Sequence, residues 1–90
     1  MKRIQTITRT FHVEGVPENL SERLLWVRHD NNITQAEMAE NLGITRTSVT
    51  NKELGKQAWV LGDLDVYRDL FNLNMNWLFY GDGSPYRKSK

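Results

Sequence analysis

Four polar side chains in the middle of the chain have the types and spacing to read an anionic polymer with hydrogen-bonding edges. Arg46, Thr47, Thr50 and Asn51 recur at i, i+1, i+4 and i+5, which puts them on one face if the segment is helical. An arginine guanidinium binds O6 and N7 of guanine in a bidentate manner, and an asparagine amide does the same with N6 and N7 of adenine. A helix carrying such a face fits the major groove of DNA. The same face on an unframed helix is an ordinary solvated surface, so the surrounding elements decide what it is worth.

The preceding stretch supplies a frame. Thr34-Gln35-Ala36-Glu37 has the composition of a capping box, in which threonine and glutamate satisfy each other's backbone donors. It predicts a helix from Thr34 with Met38, Ala39 and Leu42 buried, stopped by Gly43 at a left-handed position. After the short turn Ile44-Thr45, a further helix runs from about Arg46 to Leu54 and ends at Gly55. Two short helices joined by a glycine-containing turn cross at a steep angle. Ala39 is small at the crossing, and Ile44 and Val49 are apolar where the pair seals against an earlier helix.

That earlier helix begins near Asn19 or Ser21, with Leu20, Leu24, Leu25 and Val27 at helical spacing, and breaks at His29-Asp30-Asn31-Asn32. Residues 56–62 read as a connection. A fourth helix is expected from about Asp63 to Phe71, with Leu64, Tyr67, Leu70 and Phe71 inward. Asn74 caps a last helix from Met75 to Tyr80, closed by Gly81. The fold class is therefore all-α: five short helices with a helix-turn-helix at residues 34–55. The domain spans residues 18–82, and residues 83–90 form a basic tail whose end, Arg87-Lys88-Ser89-Lys90, is expected to be mobile.

Residues 1–17 differ in pattern. Ile7, Arg9, Phe11 and Val13 alternate with Thr6, Thr8, Thr10 and His12, as in a β-strand, until Gly15 and Pro17 end it. A lone strand cannot satisfy its own backbone. This extended arm has three open fates: lying along DNA, pairing with its copy in a dimer, or remaining disordered.

The bulk numbers exclude several classes. The 90 residues are 39% hydrophobic and 26% charged, which suits one modest domain. No apolar run approaches a membrane span, and the basic start lacks the apolar region of a secretory signal. No cysteine is present, so there are no disulfides, thiolate metal sites or thiol nucleophiles; a reducing cytoplasm suits such a chain. His12 and His29 lack metal-binding company. Asp63, Asp65 and Asp69 lack the glycine and closing glutamate of a calcium loop. No paired carboxylates or Ser-His-Asp set stands out, so neither an enzyme nor a cofactor or metal is expected. Net charge is only +1, but positive charge concentrates at both ends and in residues 46–56, where Arg46, Lys52 and Lys56 face only Glu53. Trp26, Trp59 and Trp77 are read as packing residues, because duplex readers do not need stacked single bases.

The stretch TQAEMAENLGITRTSVTNKELGK resembles the helix-turn-helix of the lambda-repressor-like (XRE-type) regulators of phages and bacteria. LSERLLWVRHDNNIT resembles that family's first helix, and LNMNWLFYGDG its fifth. The resemblance covers residues 19–83 and implies a lambda-repressor-like five-helix bundle. It implies that Gln35 contacts a phosphate and braces the reading helix. Thr45, Arg46, Thr47 and Thr50 sit where members touch bases or adjacent phosphates, with Asn51 beside them; Ser48 and Lys52 complete the set. Lys56 sits where backbone contacts are common. Lys52 departs from the pattern, standing where an aromatic or aliphatic core residue is usual; its stem packs while its ammonium snorkels to DNA, or the helix ends differently. Trp59 stands where a proline-containing connection is common.

The expected function is sequence-specific binding of a double-stranded DNA operator by a cytoplasmic, phage-type repressor. One such domain makes few contacts, so a homodimer on a two-fold site is expected, half-sites about one helical turn apart. If the ninety residues are the whole protein, no separate dimerisation or self-cleaving domain is expected; the arm or fifth helix would then pair the copies, and a protein antagonist would release them. The competing expectation is a protein-binding module, such as an antitoxin facing its toxin or the target of an antirepressor. No membrane partner is expected.

Overall fold

The computed structural model describes residues 19–88; the arm of residues 1–17, with its three expected fates, lies outside them. Five helices follow in order: α1 (Leu20–Asp30), α2 (Gln35–Leu42), α3 (Arg46–Glu53), α4 (Leu61–Phe71) and α5 (Met75–Tyr80). Among the described residues the only β pairing is an isolated antiparallel bridge between Leu73 and Tyr86. The described chain is all-α, as expected.

Local chemistry sets most of the boundaries. Asn19 caps α1 by accepting from Glu22 N at 2.9 Å. Beyond α1, Asn32 adopts φ 59°, a left-handed conformation that asparagine tolerates better than most residues. Both halves of the expected capping box form: Thr34 Oγ1 accepts from Glu37 N at 3.0 Å, and Glu37 Oε1 accepts from Thr34 N at 2.9 Å. Gly43, at φ 71° and ψ 30°, then turns the chain. Ile44 N bonds Ala39 O and Gly43 N bonds Glu40 O, the paired closure of a Schellman turn. Thr45 caps α3 through Ser48 N at 3.0 Å.

The core draws on all five helices. Leu24 and Val27 of α1, Met38 of α2, Val49 of α3, Leu64 and Tyr67 of α4, and Trp77 and Leu78 of α5 are buried, with Leu73 from the α4–α5 turn. Each such aliphatic or aromatic side chain contributes about 1.5–3 kcal/mol on leaving water. The three tryptophans pack, as expected. Trp77 is buried, Trp26 tilts against it at 5.6 Å, and Trp59 meets Tyr67 edge-on at 5.6 Å.

Three expectations are corrected. Helix α4 begins at Leu61 rather than Asp63, because Asp63 sits inside the first turn and reaches back to accept from Val60 N at 3.1 Å. Leu70, expected inward, is 47% exposed; it lies at the rim of the stripe formed by Leu64, Tyr67 and Phe71. Of the end Arg87–Lys90 expected to be mobile, Arg87 is tied down, together with the residues just before it. Asn74 N bonds Pro85 O, Arg87 N bonds Asn72 O, and Tyr86 Oη donates to Asp30 Oδ2 at 2.6 Å while accepting from Asn31 at 3.0 Å. With the Tyr86 ring 6.3 Å from that of Trp26, this segment straps the end of α1 to the α4–α5 turn.

Candidate nucleic-acid interface

Helix α3 has two unlike sides. Thr45, Arg46 and Thr47 at its start are exposed, Ser48, Thr50 and Asn51 are half-buried, and Val49, Lys52 and Glu53 are buried. The exposed start is held by short polar bonds. Thr45 Oγ1 donates to Ser48 Oγ at 3.1 Å, and Thr50 Oγ1 lies 3.1 Å from Arg46 O one turn earlier. Past the helix, Gly55 turns the chain at φ 81°. Lys56 and Gln57 both donate backbone N–H groups to Asn51 O, at 2.8 and 3.2 Å, and Lys56 is exposed.

Lys52 does not share that face. Only 4% exposed, it donates from Nζ to Ala58 O at 2.9 Å and to Asp63 Oδ2 at 2.6 Å, with the Trp59 ring centroid 5.7 Å away. Its stem packs, but its ammonium points into the α3–α4 junction instead of snorkelling outward. The expectation that Lys52 contacts DNA is therefore corrected: Lys52 is a paired buried cation, and Asp63 is what makes that burial tolerable.

Gln35 is the first residue of α2, and both ends of its amide are used. Nε2 donates to Glu53 Oε1 at 3.0 Å, and Oε1 accepts from Thr50 Oγ1 at 3.1 Å. Glu53 in turn takes Arg28 Nε at 2.7 Å and Nη2 at 3.0 Å, while Arg28 Nη1 donates to Ile33 O at 2.8 Å. The pair is almost completely buried, at 6% and 3% side-chain exposure. One carboxylate thus ties α1, α2 and α3 together. The pair has one signal in the sequence, Glu53 itself, the one acid within the basic segment 46–56.

An open cleft of about 620 Å³ separates the last turn of α1 from the first turns of α2 and α3, lined by Arg28, His29, Gln35 and Arg46 among others. Burial, reinforced by the adjacent Arg28 charge, lowers the proton affinity of His29 below that of an ordinary histidine. Glu53 lines the same cleft, paired there with Arg28. Among the described residues, no three His, Asp or Glu side chains converge as metal ligands, and no helix is long and apolar enough to cross a membrane.

No family model, no curated protein and no solved structure matches the chain.

Proposed function

We propose that this chain is a sequence-specific double-stranded DNA-binding regulator of lambda-repressor-like type, with α3 as its reading helix. The observation that carries the proposal is the division of α3. Its exposed start, Thr45-Arg46-Thr47, is polar and hydrogen-bonding, while Val49, Lys52 and Glu53 lock its other side to three helices. A side-chain row held this firmly meets the need for preorganised contacts to base edges. Arg46 is assigned to a guanine, and Thr47, Thr50 and Asn51 to neighbouring positions. Thr45 and Ser48 flank them, and Gln35 and Lys56 contact phosphates at either side. The protein acts as a homodimer on a two-fold operator and represses by occlusion, in the cytoplasm of the cell that carries the operator.

The test is selection of bound sequences from random duplex DNA, followed by footprinting on the DNA upstream of the gene. A consensus built of two inverted half-sites supports the proposal. Absence of any enriched sequence at moderate salt refutes it.

One observation favours the second reading, a protein-binding module such as an antitoxin or an antirepressor target. Leu54, Val60 and Leu61 around the α3–α4 connection, and Phe79 and Tyr80 side by side on α5, are exposed, and large apolar side chains left in water suit a surface that a protein partner covers. Co-purification with a neighbouring gene product, without sequence-specific DNA binding, would select that reading.

A further inference from the structure

The hydrogen bonds behind α3 determine what one of its reading positions can recognise. Resting on the proposal that α3 reads DNA, we infer that Thr50 is a hydrogen-bond acceptor toward the bases and therefore selects a base carrying an exocyclic amino group.

The direction of each bond follows from its neighbour. Arg28 and Glu53 form a buried pair, and an ionised carboxylate only accepts. The Gln35 amide must therefore turn its NH₂ to Glu53, at 3.0 Å, and its oxygen to Thr50, at 3.1 Å. The amide orientation, ordinarily ambiguous, is fixed here by the network. Thr50 has one hydroxyl proton. Among the described residues, the groups within reach of it, Gln35 Oε1 and Arg46 O, each at 3.1 Å, are both acceptors. The proton is thus committed inward. What Thr50 Oγ1 retains is lone-pair capacity, and the side chain is only half-buried.

In the major groove the donors are N6 of adenine and N4 of cytosine, whereas guanine N7 and O6 and thymine O4 are acceptors. Thr50 accordingly favours adenine or cytosine on the strand it faces and rejects guanine or thymine. Gln35 is a positioning residue in this scheme: it aims Thr50 without touching the base.

The experiment compares sequences selected by the wild-type protein with those selected by Thr50→Val, which keeps the shape and methyl group but lacks the acceptor, and by Thr50→Ser, which keeps it. Thermal unfolding of all three checks that the fold is retained. The expected result is one operator position enriched in adenine or cytosine for wild type and Thr50→Ser, and losing that preference in Thr50→Val. Replacing the selected base by its analogue without the amino group (purine or 2-pyrimidinone) then weakens wild-type binding by about three- to tenfold, as the loss of one hydrogen bond should, and leaves Thr50→Val binding unchanged. Enrichment of guanine or thymine at the affected position overturns the inference, and so does an unchanged profile for Thr50→Val. If wild type selects no sequence at all, the DNA reading itself falls, and this inference falls with it.

Discussion

Glu53, the last residue of α3, grips Arg28 of α1 with both carboxylate oxygens, at 2.7 and 3.0 Å, where solvent scarcely reaches. Removing one partner of such a pair leaves an uncompensated buried charge. Glu53→Ala is therefore expected to lower unfolding stability by about 3–5 kcal/mol, read from urea denaturation. A loss below about 1 kcal/mol would mean that the pair is not structural. The double replacement Arg28→Met with Glu53→Leu should recover much of the stability, since neither charge remains.

The two lysines near the end of α3 should behave in opposite ways. Lys52→Ala strands the Asp63 carboxylate and is expected to cost about 3 kcal/mol or more in stability. Lys56→Ala touches no core and should leave stability within about 0.5 kcal/mol. On DNA, Lys56→Ala should weaken binding evenly across sequences and reduce the salt slope by about 1. A salt-slope change for Lys52→Ala without a stability change would reverse the assignment.

Arg46 is exposed at the first position of α3, so its replacement should spare the fold. Arg46→Ala is expected to cost roughly 1–3 kcal/mol at one operator position and to relax specificity there. Competition titrations against single-base operator variants measure this. An unaltered preference at every position would move the reading face elsewhere.

Tyr67 is buried and, among the described residues, its hydroxyl has no hydrogen-bond partner; the same burial drives its pKa far above the ordinary tyrosine value. Tyr67→Phe removes an unsatisfied polar atom and keeps the ring contacts with Trp59 and Phe71. Stability should stay level or rise by up to about 1 kcal/mol. A clear loss on denaturation would show that the hydroxyl is bonded in solution.

His29 binds its proton less readily in the folded chain than in the unfolded one, because of burial and then of Arg28. The unfolded state thus holds more protons in the window below about pH 6.5. The stability that neutral His29 contributes is complete above that pH and declines as pH falls through it toward the lower folded-state value. Chemical denaturation between pH 5 and 7.5 should show this decline, and His29→Gln should flatten it. Parallel curves for the two proteins would exclude His29 as the source.

What was legible in the sequence was local. Thr34 and Asn74 as caps, and Gly43 and Gly81 as stops, act within a turn of themselves, so residue type and spacing suffice; for α1 the sequence left Asn19 and Ser21 open, and the bond from Glu22 N selects Asn19. The start of α4 slipped by two residues because an acid serves either at the cap or inside the first turn, and only Val60 N shows which. Lys52 was misplaced because its partner Asp63 lies eleven residues on, across a connection whose path the sequence does not encode legibly. The Arg28–Glu53 pair spans 25 residues, and nothing in either helix alone marks it. The exposed start of α3 followed from periodicity; the bonds that orient Gln35 and Thr50 behind it did not.

The strap at Tyr86 sets a timetable for synthesis. Its bond to Asp30 joins residues 56 apart, and a ribosome adding about 5–20 residues per second needs several seconds to cover that interval. Helices α2 and α3, whose caps and turn are all local, emerge and can pair well before Tyr86 exists. Trp26 stays uncovered on its Tyr86 side until that residue emerges. The newborn chain therefore presents a formed helix pair beside an unfinished aromatic face.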